Sequence, residues 1–126
     1  MKYPINAEGV PEADGRYSQG ATAGRLIFTA GQRAVDPEDT NRIIPGDGAA
    51  QTDRILDIIE LLLAETGCTL ADVAQTTVYL ANIDDMEKMN EVYARRFEMP
   101  APSRSVVAVS ALPLGALVEM DCIACR

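Results

Sequence analysis

The order of local sequence patterns predicts that this chain is a single α+β domain, with two helices packed on one face of a mixed β-sheet. Three observations predict this fold class. The chain has 126 residues, a length that suits one hydrophobic core. Two segments have apolar residues at helical spacing, and five further segments are short and rich in strand-forming residues. Because no linker or repeat interrupts residues 1–126, we expect one domain.

The first third of the chain predicts an irregular arm, a β-hairpin and a loop. Residues 1–16 contain two prolines and two glycines, a composition typical of irregular backbone. Residues 17–22 and 25–30 predict two short strands, and residues 23–24 predict the tight turn that joins them. Residues 33–46 are rich in Asp, Pro and Gly and predict a loop.

Two segments, residues 48–66 and 85–97, have the apolar spacing of amphipathic helices. Isoleucines and leucines recur on one side of the first helix, and methionines and aromatic residues recur on one side of the second. The predicted caps are Asp47 and Gly67 for the first helix, and Asp84 with Glu87, as a capping box, for the second. Each predicted helix therefore has an apolar side that can pack on a sheet.

Three more strands complete the prediction. Residues 73–80 are rich in β-branched side chains and precede the second helix. Residues 103–110 and 117–125 follow that helix, and residues 112–115 between them contain Pro and Gly, which is typical of a turn. We therefore expect the last two strands to pair with each other as a hairpin.

The charge of the chain argues against nucleic acid and anionic membranes as partners. The formal net charge is −8, and binding to a polyanion depends on clustered Lys and Arg. The chain contains no histidine, which removes the commonest general base and most zinc sites. No apolar run has the length of a membrane span and the first residues do not resemble a signal peptide, so we expect a cytoplasmic protein.

The three cysteines do not predict a metal or redox site. Cys122 and Cys125 have the spacing of a CxxC motif, but they lie in a predicted strand. Residues three apart in a strand point to opposite faces, so the two sulfur atoms are not expected to hold a metal or form a disulfide together. We interpret them as small buried side chains in a reducing compartment.

Arg104 is the side chain that most needs an explanation. It opens an apolar strand, on the same face as Val106 and Ala108, and a guanidinium is costly to bury without an anionic partner. Either an acidic side chain neutralises it or it binds an anionic ligand. In the predicted hairpin Glu119 can share a pocket wall with Arg104, and the pair would then orient a water and grip an anionic substrate; alternatively, Glu119 and Asp121 simply lie on a solvated face.

Several stretches, in this order, resemble the RidA/YjgF family of small imine and enamine deaminases, and the resemblance extends from about Ala13 to Arg126. The matching stretches are residues 15–20 (GRYSQG), 26–32 (LIFTAGQ), 72–80 (DVAQTTVYL), 89–93 (MNEVY), 102–105 (PSRS) and 118–124 (VEMDCIA). The resemblance implies a chorismate-mutase-like α+β fold that assembles as a homotrimer, with clefts between subunits and the sheets facing inward.

The resemblance also implies roles for individual residues. Arg104 would grip the substrate carboxylate, and Glu119 would position the attacking water. The remaining implied substrate-binding positions are Tyr17, Ala30, Gly31, Asn90 and the backbone around Val106. The implied reaction is hydrolysis of a 2-imino or 2-enamino acid to a 2-keto acid and ammonia, which requires neither a cofactor nor a metal.

Two positions depart from the family pattern. Ala30 stands where the best-known members have a serine, and Val106 stands where they have a cysteine. Valine is compatible with a role for the backbone at position 106, whereas a pocket with one fewer hydroxyl at position 30 should prefer a different substrate. Ala30 therefore also favours an alternative, in which the trimer binds 2-keto acids or similar small carboxylates without turnover.

Overall fold

A computed structural model describes all of residues 1–126 and contains one mixed seven-stranded sheet with two α-helices. The strands are β1 (Lys2–Ile5), β2 (Gly20–Ala23), β3 (Leu26–Thr29), β4 (Gln32–Arg33), β5 (Val73–Leu80), β6 (Ser103–Ala108) and β7 (Val118–Cys125), and the helices are α1 (Gly48–Ala64) and α2 (Met86–Arg96). The spatial order is β1-β2-β3-β7-β5-β6, and β4 pairs with β7 beyond the end of β3. The predicted α+β class is confirmed.

Both helices lie on one face of the sheet, as the sequence predicts. Along β7, buried side chains alternate with half-buried ones, and the buried set of Val118, Met120, Cys122 and Ala124 faces the helices. The buried isoleucines and leucines of α1 pack with this set in one core of 24 residues; they are Ile55, Leu56, Ile58, Ile59, Leu62 and Leu63. The N-cap of α1 is Asp47, whose side chain accepts a hydrogen bond from the Ala50 N–H at 3.0 Å.

The opposite face of the sheet, called the open face below, has no helix over it. It carries Glu119 and Asp121 from β7, Tyr79 from β5, and three exposed apolar side chains. Leu26, Phe28 and Val107 are 44%, 37% and 43% exposed. An open face with apolar side chains beside carboxylates is a surface that a second protein surface can cover.

The predicted hairpin of the last two strands is wrong. β6 pairs in parallel with β5, and β5 in turn pairs antiparallel with β7, so a whole strand separates β6 from β7. The physical reason is the long connection through α2, which returns the chain to the same end of the sheet and makes β5-α2-β6 a parallel crossover unit. Residues 113–115, in the predicted turn, form a turn that leads to β7.

Two local predictions also need correction. The arm at residues 1–16 is not irregular throughout, because Lys2–Ile5 forms β1 against β2. Asp84 does not cap the second helix: Asn82 caps a 3₁₀ turn at Ile83–Asp85, and α2 continues from that turn. Asn82 precedes Asp84 by two residues, and its side-chain Oδ1 accepts a hydrogen bond from the Asp84 N–H at 2.9 Å, so Asn82 provides the cap.

The two cysteines of the CxxC spacing lie on opposite sides of β7, as predicted. Cys122 is buried in the core, as expected, but the expectation of burial is wrong for Cys125, which is exposed near the end of β7; all three cysteines are free thiols. Burial raises the pKa of the Cys122 thiol to about 11, so this sulfur stays protonated and is a poor nucleophile and metal ligand. No helix of the chain combines the length and the apolar character that a membrane span requires.

Thr29 links β3 to β7 through its side chain. Its hydroxyl oxygen accepts a hydrogen bond from the Cys122 N–H at 3.0 Å, in a region closed to water. Thr29 therefore points into the core while Ala30 points to the other side, so the Thr29 hydroxyl cannot serve in place of one at position 30.

We predict that Thr29→Val lowers the free energy of unfolding by about 1–3 kcal/mol, because it leaves the buried Cys122 N–H without an acceptor. Thr29→Ser keeps the oxygen and should lose much less. Urea unfolding at one fixed protein concentration measures both variants. A Val variant as stable as the Ser variant would contradict the assignment.

Candidate functional site

The structure divides the seven predicted site residues into two groups on opposite faces of the sheet. Asn90, Arg104 and Val106 form one group, on the side of the helices. The second group, on the open face, consists of Tyr17, Ala30, Gly31 and Glu119. We call the first group the Arg104 cluster and the second group the Glu119 cluster.

The Arg104 cluster holds a guanidinium that has no carboxylate partner. Nη1 of Arg104 donates to Oδ1 of Asn90 at 2.7 Å, and the Arg104 Cζ lies 4.6 Å from the centroid of the Tyr93 ring. Sδ of Met89 lies 3.8 Å from the same Nη1. A neutral amide and an aromatic ring orient the cation without cancelling its charge.

Tyr93 is a rigid platform for Arg104. Its hydroxyl shares a 2.6 Å hydrogen bond with the hydroxyl of Thr76, which is buried beneath it on β5. Burial raises the pKa of the Tyr93 phenol, although the Thr76 hydrogen bond and the Arg104 charge act in the opposite direction. The phenol is therefore neutral near pH 7, and the ring is fixed both at its hydroxyl and by contact with Phe97, 4.5 Å between centroids.

A cleft of about 410 Å³ opens beside Arg104. Its lining is mostly apolar and includes Phe97, Met99 and Pro102, with Asn90 and Arg104 as its polar groups. An apolar cleft with one cation and one amide suits a small molecule that has a carboxylate and a short side chain. Such a ligand would meet Arg104 as its anion-binding group.

Val106 lies on the outermost strand of the sheet. It pairs with Val78 on β5, and the other edge of β6 has no neighbouring strand. Backbone N–H and C=O groups along that edge are free to bind a ligand or another chain. This arrangement is compatible with a role for the backbone, and not the side chain, at position 106.

The Glu119 cluster contains an ion pair that the sequence did not predict. Nη1 of Arg33 donates to Oε1 of Glu119 at 2.9 Å, and the two side chains are 27% and 20% exposed. Pairing of β4 with β7 sets Arg33 directly opposite Glu119. The Glu119 carboxylate is thus held at one oxygen.

Gly31 lies against the other side of the same carboxylate. A β-carbon at this position would be 2.6 Å from Oε2 of Glu119, closer than nonbonded atoms approach. The group that approaches the Gly31 backbone most closely is thus the Glu119 side chain. Gly31 therefore makes room for the carboxylate that Arg33 holds.

Tyr17 and Ala30 line a neighbouring cleft of about 580 Å³ on the open face, together with Phe28. Tyr17 is half exposed, and Arg33 shares a second cleft with it. The segment is anchored by buried Gln19, whose side-chain oxygen accepts from the Ala7 N–H at 2.7 Å. Tyr17, Ala30, Gly31 and Glu119 are therefore brought to one region of the open face.

Asp121 and Tyr79 lie next to Glu119 on the open face. The Tyr79 hydroxyl donates to Oδ2 of Asp121 at 3.0 Å. Burial and the neighbouring Glu119 charge raise the pKa of the Asp121 carboxyl, and the Tyr79 hydrogen bond opposes them. Burial, followed by the Asp121 contact, also raises the pKa of Tyr79, so this phenol donates and does not ionise near neutral pH.

The expectation that Arg104 and Glu119 share a pocket wall within one chain is wrong. Arg104 pairs with Thr76, whose side chain points to the helices, whereas Glu119 pairs with Tyr79, whose side chain points to the open face. The intervening β5 separates the two strands, and the pleat directs the two side chains to opposite sides. One chain alone does not bring these two residues together.

Sequence reasoning missed Arg33 and Tyr93. Arg33 lies in a segment that was predicted to be a loop. The one signal in the sequence was its position, a cation directly after the Ala30-Gly31-Gln32 stretch. Tyr93 was assigned to the apolar side of a helix, which is where it lies, but its ring faces Arg104 at the edge of the core. An aromatic residue three positions after Asn90 on a helix was the available signal.

Comparison with known proteins gives a consistent family. The model of the family described as Endoribonuclease L-PSP matches residues 8–126. A RutC family protein of Pyrococcus abyssi is 45% identical over 123 residues, covering 98% of this chain and 96% of that protein. The 2-iminobutanoate/2-iminopropanoate deaminase of Rattus norvegicus is 35% identical over 120 residues, covering 95% and 87%. Reactive Intermediate Deaminase A of Arabidopsis thaliana is 37% identical, covering 98% and 65%.

Solved structures agree with this result. A protein of unknown function of the conserved Rid family, YyfA from Yersinia pestis, superposes with a TM-score of 0.94 at 34% identity over the full length of both chains. The YjgF gene product of E. coli superposes with a TM-score of 0.87 at 32% identity over 98% of each chain. At these identities the likeness concerns sequence as well as fold.

We predict that Gly31→Ala lowers the free energy of unfolding by about 1–3 kcal/mol, because the new methyl group displaces the Glu119 carboxylate from Arg33. In a Glu119→Ala background the same change meets no carboxylate and should be neutral or slightly stabilising. Urea unfolding of the four proteins measures this coupling at fixed concentration. Equal effects in both backgrounds would show that Gly31 does not act through Glu119.

Proposed function

The chain belongs to the RidA/YjgF family, also described as Endoribonuclease L-PSP, and from this membership we propose that it is a cofactor-free hydrolytic deaminase of 2-imino and 2-enamino acids. Two relatives that align with nearly the whole of this chain are named as deaminases. One is named for reactive intermediates, and the other for 2-iminobutanoate and 2-iminopropanoate. The observation that carries the proposal is the Arg104 guanidinium, which has no acidic partner and lines an apolar cleft.

Arg104 supplies the binding half of this site. A 2-imino acid has a carboxylate next to its C=N carbon, and a guanidinium binds a carboxylate through two parallel hydrogen bonds. Asn90 and Tyr93 hold the guanidinium in place before the substrate arrives, which lowers the entropic cost of binding. The carboxylate then fixes the position of the reacting carbon.

Glu119 supplies the hydrolytic half. The imine reacts in its N-protonated form. The oxygen of water attacks the C=N carbon, and the π electrons of the C=N bond move to nitrogen. Glu119 accepts the proton that the attacking water loses. Glu119 returns this proton to the nitrogen of the resulting carbinolamine, which leaves as ammonia while the hydroxyl loses its proton to solvent and C=O forms. An enamine first accepts a proton at carbon. One water is consumed for each keto acid and ammonia, without oxidation or reduction.

The proposed site requires a second copy of the chain. Arg104 and Glu119 lie on opposite faces of one sheet, so the Arg104 cluster of one copy must meet the Glu119 cluster of another. The exposed apolar side chains of the open face and the free edge of β6 give such a copy surfaces to cover. We propose the homotrimer that the family resemblance implies.

RNA is not a suitable main substrate, despite the older description of the family. The net charge of −8 repels a polyanion. One of the two cations in these clusters is also unavailable to bind phosphate groups, since Arg33 is paired with Glu119. A small monocarboxylate needs only one free guanidinium.

Ala30 favours a second candidate, a trimer that binds 2-keto acids or similar carboxylates without turnover. The side chain at this position lines the Tyr17 cleft and offers no hydroxyl to a substrate. A pocket with one fewer hydrogen-bonding group selects its ligands differently. In this case Arg104 would still bind the carboxylate.

We predict that the protein accelerates the loss of 2-iminopropanoate generated in situ. Arg104→Ala should lower kcat/KM roughly 10- to 100-fold, since it removes a charge-assisted contact. Glu119→Gln should lower kcat roughly 100-fold or more, since it replaces the general base with an amide of nearly the same shape that cannot accept the proton. Arg95→Ala, which removes an exposed cation from α2, is the control and should match wild type.

If wild type shows no acceleration, calorimetry with pyruvate separates the two candidates. Heat of binding that disappears in Arg104→Ala and persists in Arg95→Ala supports the binding protein. Binding that persists in Arg104→Ala would overturn both candidates, because both assign the carboxylate to Arg104.

We also predict complementation between two inactive variants. Co-expressed Arg104→Ala and Glu119→Gln chains form mixed assemblies in which some clefts receive an intact Arg104 from one copy and an intact Glu119 from another. Purified mixed assemblies, separated by two different affinity tags, should therefore recover deaminase activity. A site built within one chain would give no recovery, because every chain carries one of the two changes.

A further inference from the structure

We propose that Arg33 is a positioning residue that holds the Glu119 carboxylate in the orientation needed for attack by water. The inference rests on the proposed deaminase function and adds to it a residue outside the predicted site. It starts from the ion pair in which Nη1 of Arg33 donates to Oε1 of Glu119 at 2.9 Å.

The backbone pairing of β4 with β7 places Arg33 beside Glu119. β4 consists of two residues, and both pair with β7: Gln32 opposite Met120, and Arg33 opposite Glu119. Directly opposed residues on paired strands point to the same face, so this short strand sets the guanidinium beside the carboxylate. Buried Gln32 fixes the register on the core side.

Arg33 and Gly31 act on different oxygens of the same carboxylate. Arg33 occupies Oε1, and Oε2 lies over the bare backbone of Gly31, where it accepts no hydrogen bond from the chain. One oxygen is thus fixed and the other is free for a water. A carboxylate held in this way keeps its angle without losing its capacity to accept a proton.

The Arg33 side chain does not have the features of a purely stabilising one. Its Nε is buried and has no hydrogen-bond partner, although a fork-shaped pairing with Glu119 would have satisfied it. Leaving a buried donor unpaired costs free energy, so a purely structural position would favour an apolar side chain of similar length. The single-point contact places the guanidinium to one side of Glu119 and leaves Oε2 without a hydrogen-bond partner from the chain.

Arg33 is also a poor candidate for the substrate carboxylate. Its charge is already compensated by Glu119 at 2.9 Å, whereas Arg104 has only neutral partners. A substrate anion at Arg33 would have to compete with Glu119. Loss of Arg33 should therefore affect turnover and leave substrate binding almost unchanged.

The test compares Arg33→Met, Arg33→Lys and Arg95→Met in the complete assembled protein, with kcat and KM for 2-iminopropanoate as readouts. Arg95→Met removes the same charge from an exposed position on α2 and should behave as wild type. Arg33→Met should lower kcat roughly 10- to 100-fold with KM within about threefold, the effect of a misplaced reacting group. Arg33→Lys restores a cation without the planar geometry and should recover part of kcat.

A double variant separates positioning from general destabilisation. In a Glu119→Gln background, Arg33→Met should cause little further loss of kcat, because the carboxylate that it positions is gone. Equal losses in both backgrounds, or a raised KM with unchanged kcat, would overturn the role of Arg33. If wild type hydrolyses no imino acid, the proposed function fails and this inference fails with it; if wild type is active and Arg33→Met equals wild type, only this inference fails.

Discussion

The alternation of side chains along β7 is the constraint on which the rest of the structure depends. Every second residue of this central strand belongs to the core, so the residues between them, Glu119 and Asp121 among them, must face away from the helices. The carboxylate could move to the other face only if the whole strand shifted its register, which would expose the core. The position of Glu119 is therefore fixed by the same packing that stabilises the fold.

The parallel pairing of β6 with β5 fixes the other half of the site in the same way. It directs Arg104 to the helix side, level with buried Thr76, and leaves β6 at the edge of the sheet. An arginine at an edge can extend beyond its own chain, and a carboxylate on an uncovered face can receive a group from outside. Each half is incomplete within one chain, and this is why the proposed function requires a second copy.

Much of this fold follows from local patterns, and much of the site does not. The limits of β5, the Asp47 cap and the two helices follow from residue types that act within a few positions of one another. The neighbour of β6 is decided by which strands bury the most surface together, and a turn-like segment at residues 112–115 did not reveal it. Arg33 was missed for the same reason: its importance comes from pairing with residue 119, which is distant in sequence.

The different partners of the two arginines give them different chemical uses. Arg33 faces a carboxylate, so its charge is compensated within the chain. Arg104 faces an amide and an aromatic ring, which restrict its motion and leave its charge available. In a chain of net charge −8, an uncompensated cation in an apolar cleft attracts a small anion that can enter the cleft, while larger polyanions are repelled. The contrast between the two arginines thus favours a small carboxylate at Arg104 and a reacting water at Glu119.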